Sequence, residues 1–81
     1  GQLPVDYIKI DGSFIRSLLI SPDSHTIVKA IADIAKGFGK QTIAEFVDQA
    51  PLLPILQGYG ITYGQGFHLG KPLPLAQLLR G

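Results

Sequence analysis

Along VDYIKID, residues 5–11, alternation sends Val5, Tyr7, Lys9 and Asp11 to one face of an extended segment and Asp6, Ile8 and Ile10 to the other. Both faces are partly apolar, as in strands of parallel sheets that are covered by helices. The next stretch carries helix signals. Ser21 stands as N-cap, Pro22 takes the first helical position, and Asp23 lies in the first turn. Ile27, Val28, Ile31, Ile34, Ala35 and Phe38 then recur at helical spacing as one apolar stripe, and Gly37 or Gly39 can end the helix. KQTIAEFVD reads as a second strand, with Ile43, Glu45 and Val47 opposite Thr42, Ala44 and Phe46. QAPLLPILQGYG predicts a short helix, since Pro51 and Pro54 fall where lost amide donors matter least, and Gly58 or Gly60 stops it. ITYGQGFHLG is an irregular third strand whose glycines point to a bulge or a close approach of backbone to a neighbour. KPLPLAQLLRG closes with a helical turn or two. The order strand, helix, strand, helix, strand, helix predicts a parallel α/β arrangement with right-handed crossovers.

In such folds chemistry collects at the carboxyl ends of the strands, where Lys9, Asp11, Glu45 and Gln65 all fall. Composition narrows the field further. Eighty-one residues make one small domain or a piece of a larger one, and 46% hydrophobic residues with mean hydropathy +0.27 are a high apolar load for that length. A net charge of +1 from dispersed basic and acidic residues speaks against a nucleic-acid polymer or an anionic membrane as partner. The absence of cysteine excludes disulfides, thiolate zinc sites and thiol catalysis, and fits a reducing compartment. No apolar run approaches a membrane span and no leader opens the chain, so a cytoplasmic location is expected. The chain also lacks methionine and starts at Gly1, as it would if an initiator had been removed or the segment cut from something longer.

KIDGSF, TIAEFVD and YGQGFHLGKPLP, in this order and spacing, resemble the carboxyl-terminal third of an EAL domain, the bacterial family that hydrolyses cyclic di-GMP. The resemblance runs from Leu3 to about Leu79 and implies that residues 1–81 hold a parallel βαβαβα fragment, the last three units of a TIM-like (β/α)8 barrel. It implies an intact domain that cleaves cyclic di-GMP to linear pGpG with two divalent ions, Mg2+ or Mn2+, held by oxygen ligands. Lys9 falls on the family's barrel lysine, which would contact the attacking water or the phosphate. Asp11 falls on the acid that balances it. Glu45 falls on a ligand of the second ion, Asp48 on the last acid of the same loop, and Gln65 on a glutamine that positions water or Glu45. Phe46 and Asp48 depart from the family's usual Gly and Glu. The Glu-Ala-Leu tripeptide and most metal ligands have no counterpart here, so the fragment alone is expected to bind no metal and to be inactive. Any membrane attachment of a longer parent would fall to other domains.

Without the resemblance, Lys9 and Asp11 read as a structural ion pair at a strand end and Glu45 as a satisfied boundary acid. His25 and His68 read as exposed or rim residues, because neither has a second ligand at i+3 or i+4. The Tyr59, Tyr63 and Phe67 cluster reads as packing. Two other functional classes stand beside the hydrolase: a degenerate EAL domain that binds cyclic di-GMP or a protein without catalysis, and a stand-alone interaction domain. The apolar surplus and the open edges around Ile8, Ile10, Ile61 and Tyr63, with Val5, Tyr7 and Ile43 facing an absent barrel wall, predict a homo-oligomer for the fragment.

Overall fold

Alternation ends at Ile10, where the Asp11 side chain turns the backbone from strand into helix. The computed structural model describes residues 6–66 and 71–79. Strand β1 (Tyr7–Ile10) leads into a short helix α1 (Gly12–Ser17) and then α2 (Pro22–Gly37); β2 (Gln41–Ala44), α3 (Leu52–Gly58), β3 (Tyr63–Gly64), β4 (Leu73–Pro74) and α4 (Leu75–Leu79) come after them. The sheet order is β1-β2-β3-β4. The first three strands are parallel, with Lys9 beside Ile43 and Ile43 beside Tyr63, whereas β4 runs antiparallel to β3.

The parallel α/β plan therefore stands, with two additions, α1 and β4, that alternation did not show. Helix α1 exists because Asp11 is its N-cap: the Ser13 backbone N–H donates to the Asp11 carboxylate at 2.9 Å, and the Ser13 hydroxyl donates to the same oxygen. These bonds, with Arg16 nearby, hold the Asp11 carboxyl below its usual pKa. A carboxyl whose folded pKa is depressed stabilises the fold above its unfolded pKa, near 3.8, and that contribution is lost as pH falls through the folded value. Asp11→Asn, which keeps an acceptor without the titration, is thus expected to flatten the acid limb of a thermal-melt series below pH 4. An unchanged acid limb would show that the cap is not coupled to folding.

The predicted α2 stripe divides. Val28, Ala32 and Ala35 are buried against the sheet, with Ile31 partly so, while Ile27, Ile34 and Phe38 are 39%, 56% and 74% exposed. Helical spacing cannot distinguish which edge of a broad apolar face meets the sheet and which lies beside it. The predicted helix stops hold, since Gly39 and Gly60, after α2 and α3, have φ of +68° and +80°. The close backbone approach falls on Gly64, where a Cβ would stand 2.8 Å from Leu75, 3.0 Å from Leu78 and 3.2 Å from Val47. Among the described residues one core cluster joins Ile10, Ile15, Leu18, Val28, Leu52, Leu56, Ile61 and Leu75 from strand, helices and loops.

His25 is not exposed; it stands half-buried beside Leu18 and Pro22, and both ring nitrogens have partners. Nε2 lies 2.8 Å from the Leu18 carbonyl and Nδ1 2.6 Å from the Tyr59 hydroxyl, tying α2 to the chain on both sides. The carbonyl accepts only, so Nε2 carries the proton toward Leu18. The Tyr59–Tyr63 packing also divides, with Tyr59 edge-on to His25 and Tyr63 edge-on to Tyr7. Tyr7, Ile43, Tyr63, Lys71 and Pro72 line a cavity of about 320 Å³ on the inner face of the sheet. Ile43 is only 5% exposed there, so it does not face open solvent as its strand position implied. Likewise β3 is not an edge, because β4 pairs with it. Val5, Phe67 and His68 lie outside the described residues.

Candidate functional site

Chain direction alone brings the carboxyl ends of β1, β2 and β3 to one end of the sheet, since the three are parallel. There Lys9, Glu45, Phe46, Gln65 and Gly66 line a cavity of about 250 Å³. Lys9 is exposed and Glu45 and Gln65 are half-buried, so an ammonium, a carboxylate and a carboxamide share a partly enclosed space. Asp11 is not among the lining residues, and its carboxylate is committed to capping α1. Asp48 is exposed in the loop beyond.

Glu45 sits where β2 changes course. Its amide donates to the Ile10 carbonyl on the β1 side at 3.1 Å, and the Val47 amide donates to the Gln65 carbonyl on the β3 side at 2.9 Å. In an unbroken strand, alternate amides point to the same neighbour, so these opposite directions mark an inserted residue, a bulge. That residue is Phe46, with φ +57°, in the left-handed region that costs a non-glycine residue roughly 1–2 kcal/mol. The predicted strand through Asp48 therefore stops at Ala44, and the assignment of Phe46 to one strand face fails for that reason. The signal lay in the resemblance itself: a position where Gly is usual is one where a left-handed backbone is to be expected.

Alternation also missed what holds Phe46. Its ring lies against Gly12, where an added Cβ would overlap the ring, with Cγ 2.7 Å away. The Arg16 guanidinium stands 5.2 Å from the ring centroid, within cation–π range. Gly12 and Arg16, unremarkable in the sequence, thus join the surroundings of Glu45.

Of the groups lining this cavity, the Glu45 carboxylate suits a hard divalent cation such as Mg2+ or Mn2+ as one ligand. Among the described residues, however, no group of three or more His, Asp or Glu side chains converges, so Glu45 does not complete a centre by itself.

A mostly parallel sheet with polar groups gathered at its carboxyl ends belongs to the α/β class. The EAL domain family profile matches residues 1–72, and the chain belongs to that family, of whose domain it covers a part. It is 45% identical over 75 residues to the cyclic di-GMP phosphodiesterase PdeB of Shewanella oneidensis, covering 93% of this chain and 9% of that protein. The chain thus spans about a tenth of the length of the curated relatives it matches. Among solved structures, the EAL enzyme Bd1971 in its cAMP- and cyclic-di-GMP-bound form superposes with TM-score 0.75 at 32% identity, over 98% of this chain and 21% of that one. The PaMucR phosphodiesterase in complex with c-di-GMP gives 0.74 at 36% identity, over 95% of this chain and 31% of that one. The α/β sheet is accordingly part of a TIM-like barrel. Among the described residues no helix is long and apolar enough to cross a membrane.

Proposed function

We propose that residues 1–81 form one carboxyl-terminal piece of an EAL domain and supply part of the active site of a bacterial signalling phosphodiesterase that cleaves cyclic di-GMP to linear pGpG. The observation that carries this reading is the cavity lined jointly by Lys9, Glu45 and Gln65 at the carboxyl ends of parallel strands. In the intact domain Mg2+ or Mn2+, when bound, would lower the pKa of a water and stabilise charge on the phosphoryl oxygens. Glu45 would be one oxygen ligand among several. Lys9 offers ammonium donors to the water or to a phosphate oxygen, where closure of the barrel excludes solvent and makes the charge count. Gln65 orients water or the Glu45 carboxylate, Asp11 sets α1 beside Lys9, and Asp48 braces the loop after the bulge.

The test is incubation of the intact protein with cyclic di-GMP and either cation, with products separated by chromatography. Formation of pGpG is expected. Tight binding without turnover in either cation would favour the degenerate, nucleotide-binding alternative, and neither binding nor turnover would remove both readings. The 81-residue chain alone is expected to give no turnover, because one carboxylate cannot build a two-ion cage. Turnover by the chain, abolished in Glu45→Ala, would overturn that expectation.

As an isolated chain it is also expected to self-associate. The outer edge of β1 and the exposed Ile27, Ile34 and Phe38 on α2 remain available for pairing and packing. Light scattering after gel filtration checks this, and a monomer independent of concentration would contradict it.

A further inference from the structure

Phe46 is in a backbone conformation that its side chain disfavours, so something outside the strand must hold it there. Its ring meets α1 at both ends of that helix's first turn and a half: against the bare Cα of Gly12 and beneath the guanidinium of Arg16. Helix α1 is in turn pinned by the Asp11 cap, and its Ile15 is fully buried in the core. The bulge that carries Glu45 therefore has attachments on three sides: the Glu45 amide to β1, the Val47 amide to the Gln65 carbonyl, and the Phe46 ring to α1. Of these three only the last is a side-chain contact, and it adds to the packing of the Val47 side chain on the core. We propose that Phe46, seated on Gly12, is a positioning residue that locks the bulge and so aims the Glu45 carboxylate into the cavity, and that Gly12 and Phe46 act as one coupled pair. The inference rests on the proposed role of Glu45 and goes beyond it by assigning the orientation of that group to a ring on the neighbouring element. Phe46 itself touches the cavity wall, but its effect runs through the adjacent residue.

The steric argument is specific. A Cβ at residue 12 would overlap Cδ2 and stand 2.7 Å from both Cγ and Cε2, along one edge of the ring, so Gly12→Ala must displace Phe46. Replacing the ring by Gly removes the clash and at the same time makes φ +57° ordinary. The two substitutions should therefore not add.

The experiment uses the intact protein and three variants, Gly12→Ala, Phe46→Gly and the double change, with hydrogen exchange followed by mass spectrometry over segments spanning residues 42–48 and 52–58. Gly12→Ala and Phe46→Gly are each expected to accelerate exchange in the first segment about tenfold or more and leave the second within about twofold. The double variant should exchange like Phe46→Gly alone. A second readout is the concentration of Mn2+ giving half-maximal hydrolysis, expected to rise about fivefold or more in Phe46→Gly; a purely structural role would lower the folded fraction without moving it. If Gly12→Ala leaves exchange unchanged, the ring has swung into solvent at no cost and the coupling is absent. Acceleration spread equally over both segments, or additive effects in the double variant, would equally overturn the proposal. Should the wild-type protein prove inactive, the hydrolytic reading fails while exchange still decides whether the bracket exists, and Phe46→Leu, which keeps an apolar side chain on Gly12, guards against misfolding of the glycine variant.

Discussion

Glu45→Ala and Lys9→Ala in the intact protein are each expected to lower kcat for cyclic di-GMP hydrolysis about a hundredfold or more. The magnitude follows from what each side chain offers. Removing one preorganised charged contact from a water-poor site costs on the order of 10²–10³ in rate, because the contact strengthens as charge develops on the phosphoryl oxygens. Lys9 is exposed among the described residues, and its full effect depends on a closed barrel around it. Lys9→Arg is expected to recover little, since a planar fork does not replace a compact ammonium with donors pointing outward in three directions. Glu45→Gln keeps the shape and loses the charge, so it should resemble Glu45→Ala if the carboxylate binds a cation and resemble wild type if it serves only as a hydrogen-bond acceptor. Steady-state rates at saturating cation, with circular dichroism to verify the fold, decide among these. Wild-type turnover in both alanine variants would return Lys9 to a strand-end cation and Glu45 to a boundary acid.

The second large effect concerns the fold. Leu56 is completely buried in α3, within the core that also holds Ile10, Val28, Leu52 and Ile61. Leu56→Ala removes buried methyl groups and leaves a void that short elements cannot collapse to fill, at a cost of about 2–5 kcal/mol. A domain of this length has roughly 4–12 kcal/mol of stability to lose, from 0.05–0.15 kcal/mol per residue. The midpoint of thermal denaturation should therefore fall by on the order of 10–30 °C, at the few degrees per kcal/mol typical of small domains. Ile34→Ala on the exposed side of α2 is the matched control, since that residue is 56% exposed and contributes little burial. Equal shifts for both would mean that the exposed stripe is covered in solution and that α2 buries more than the isolated chain reveals.

Local signals determined much of this protein. Alternation located β1 and β2, proline placement located the starts of α2 and α3 although Ser21 makes no side-chain cap bond, and Gly39 and Gly60 ended them, because each of these depends on a residue and its near neighbours. Chain direction then placed Lys9, Glu45 and Gln65 at one end of the sheet, which needs only that the strands be parallel. Other features depended on residues far apart in the chain. Which side of the α2 stripe is buried was decided by where the sheet lies, and His25 became part-buried because Tyr59 and the Leu18 carbonyl close around it. The fate of Asp11 shows the two levels meeting: its alternation points to a strand face, yet Ser13, two residues on, recruits it as a cap. Phe46 shows the limit most clearly. Nothing in the run TIAEFVD requires a left-handed residue, and the ring is held only because Gly12, thirty-four positions earlier, has no side chain to keep it away. Periodicity is a property of one segment, whereas a bulge braced from a neighbouring helix is a property of two, and only the tertiary structure brings them into contact.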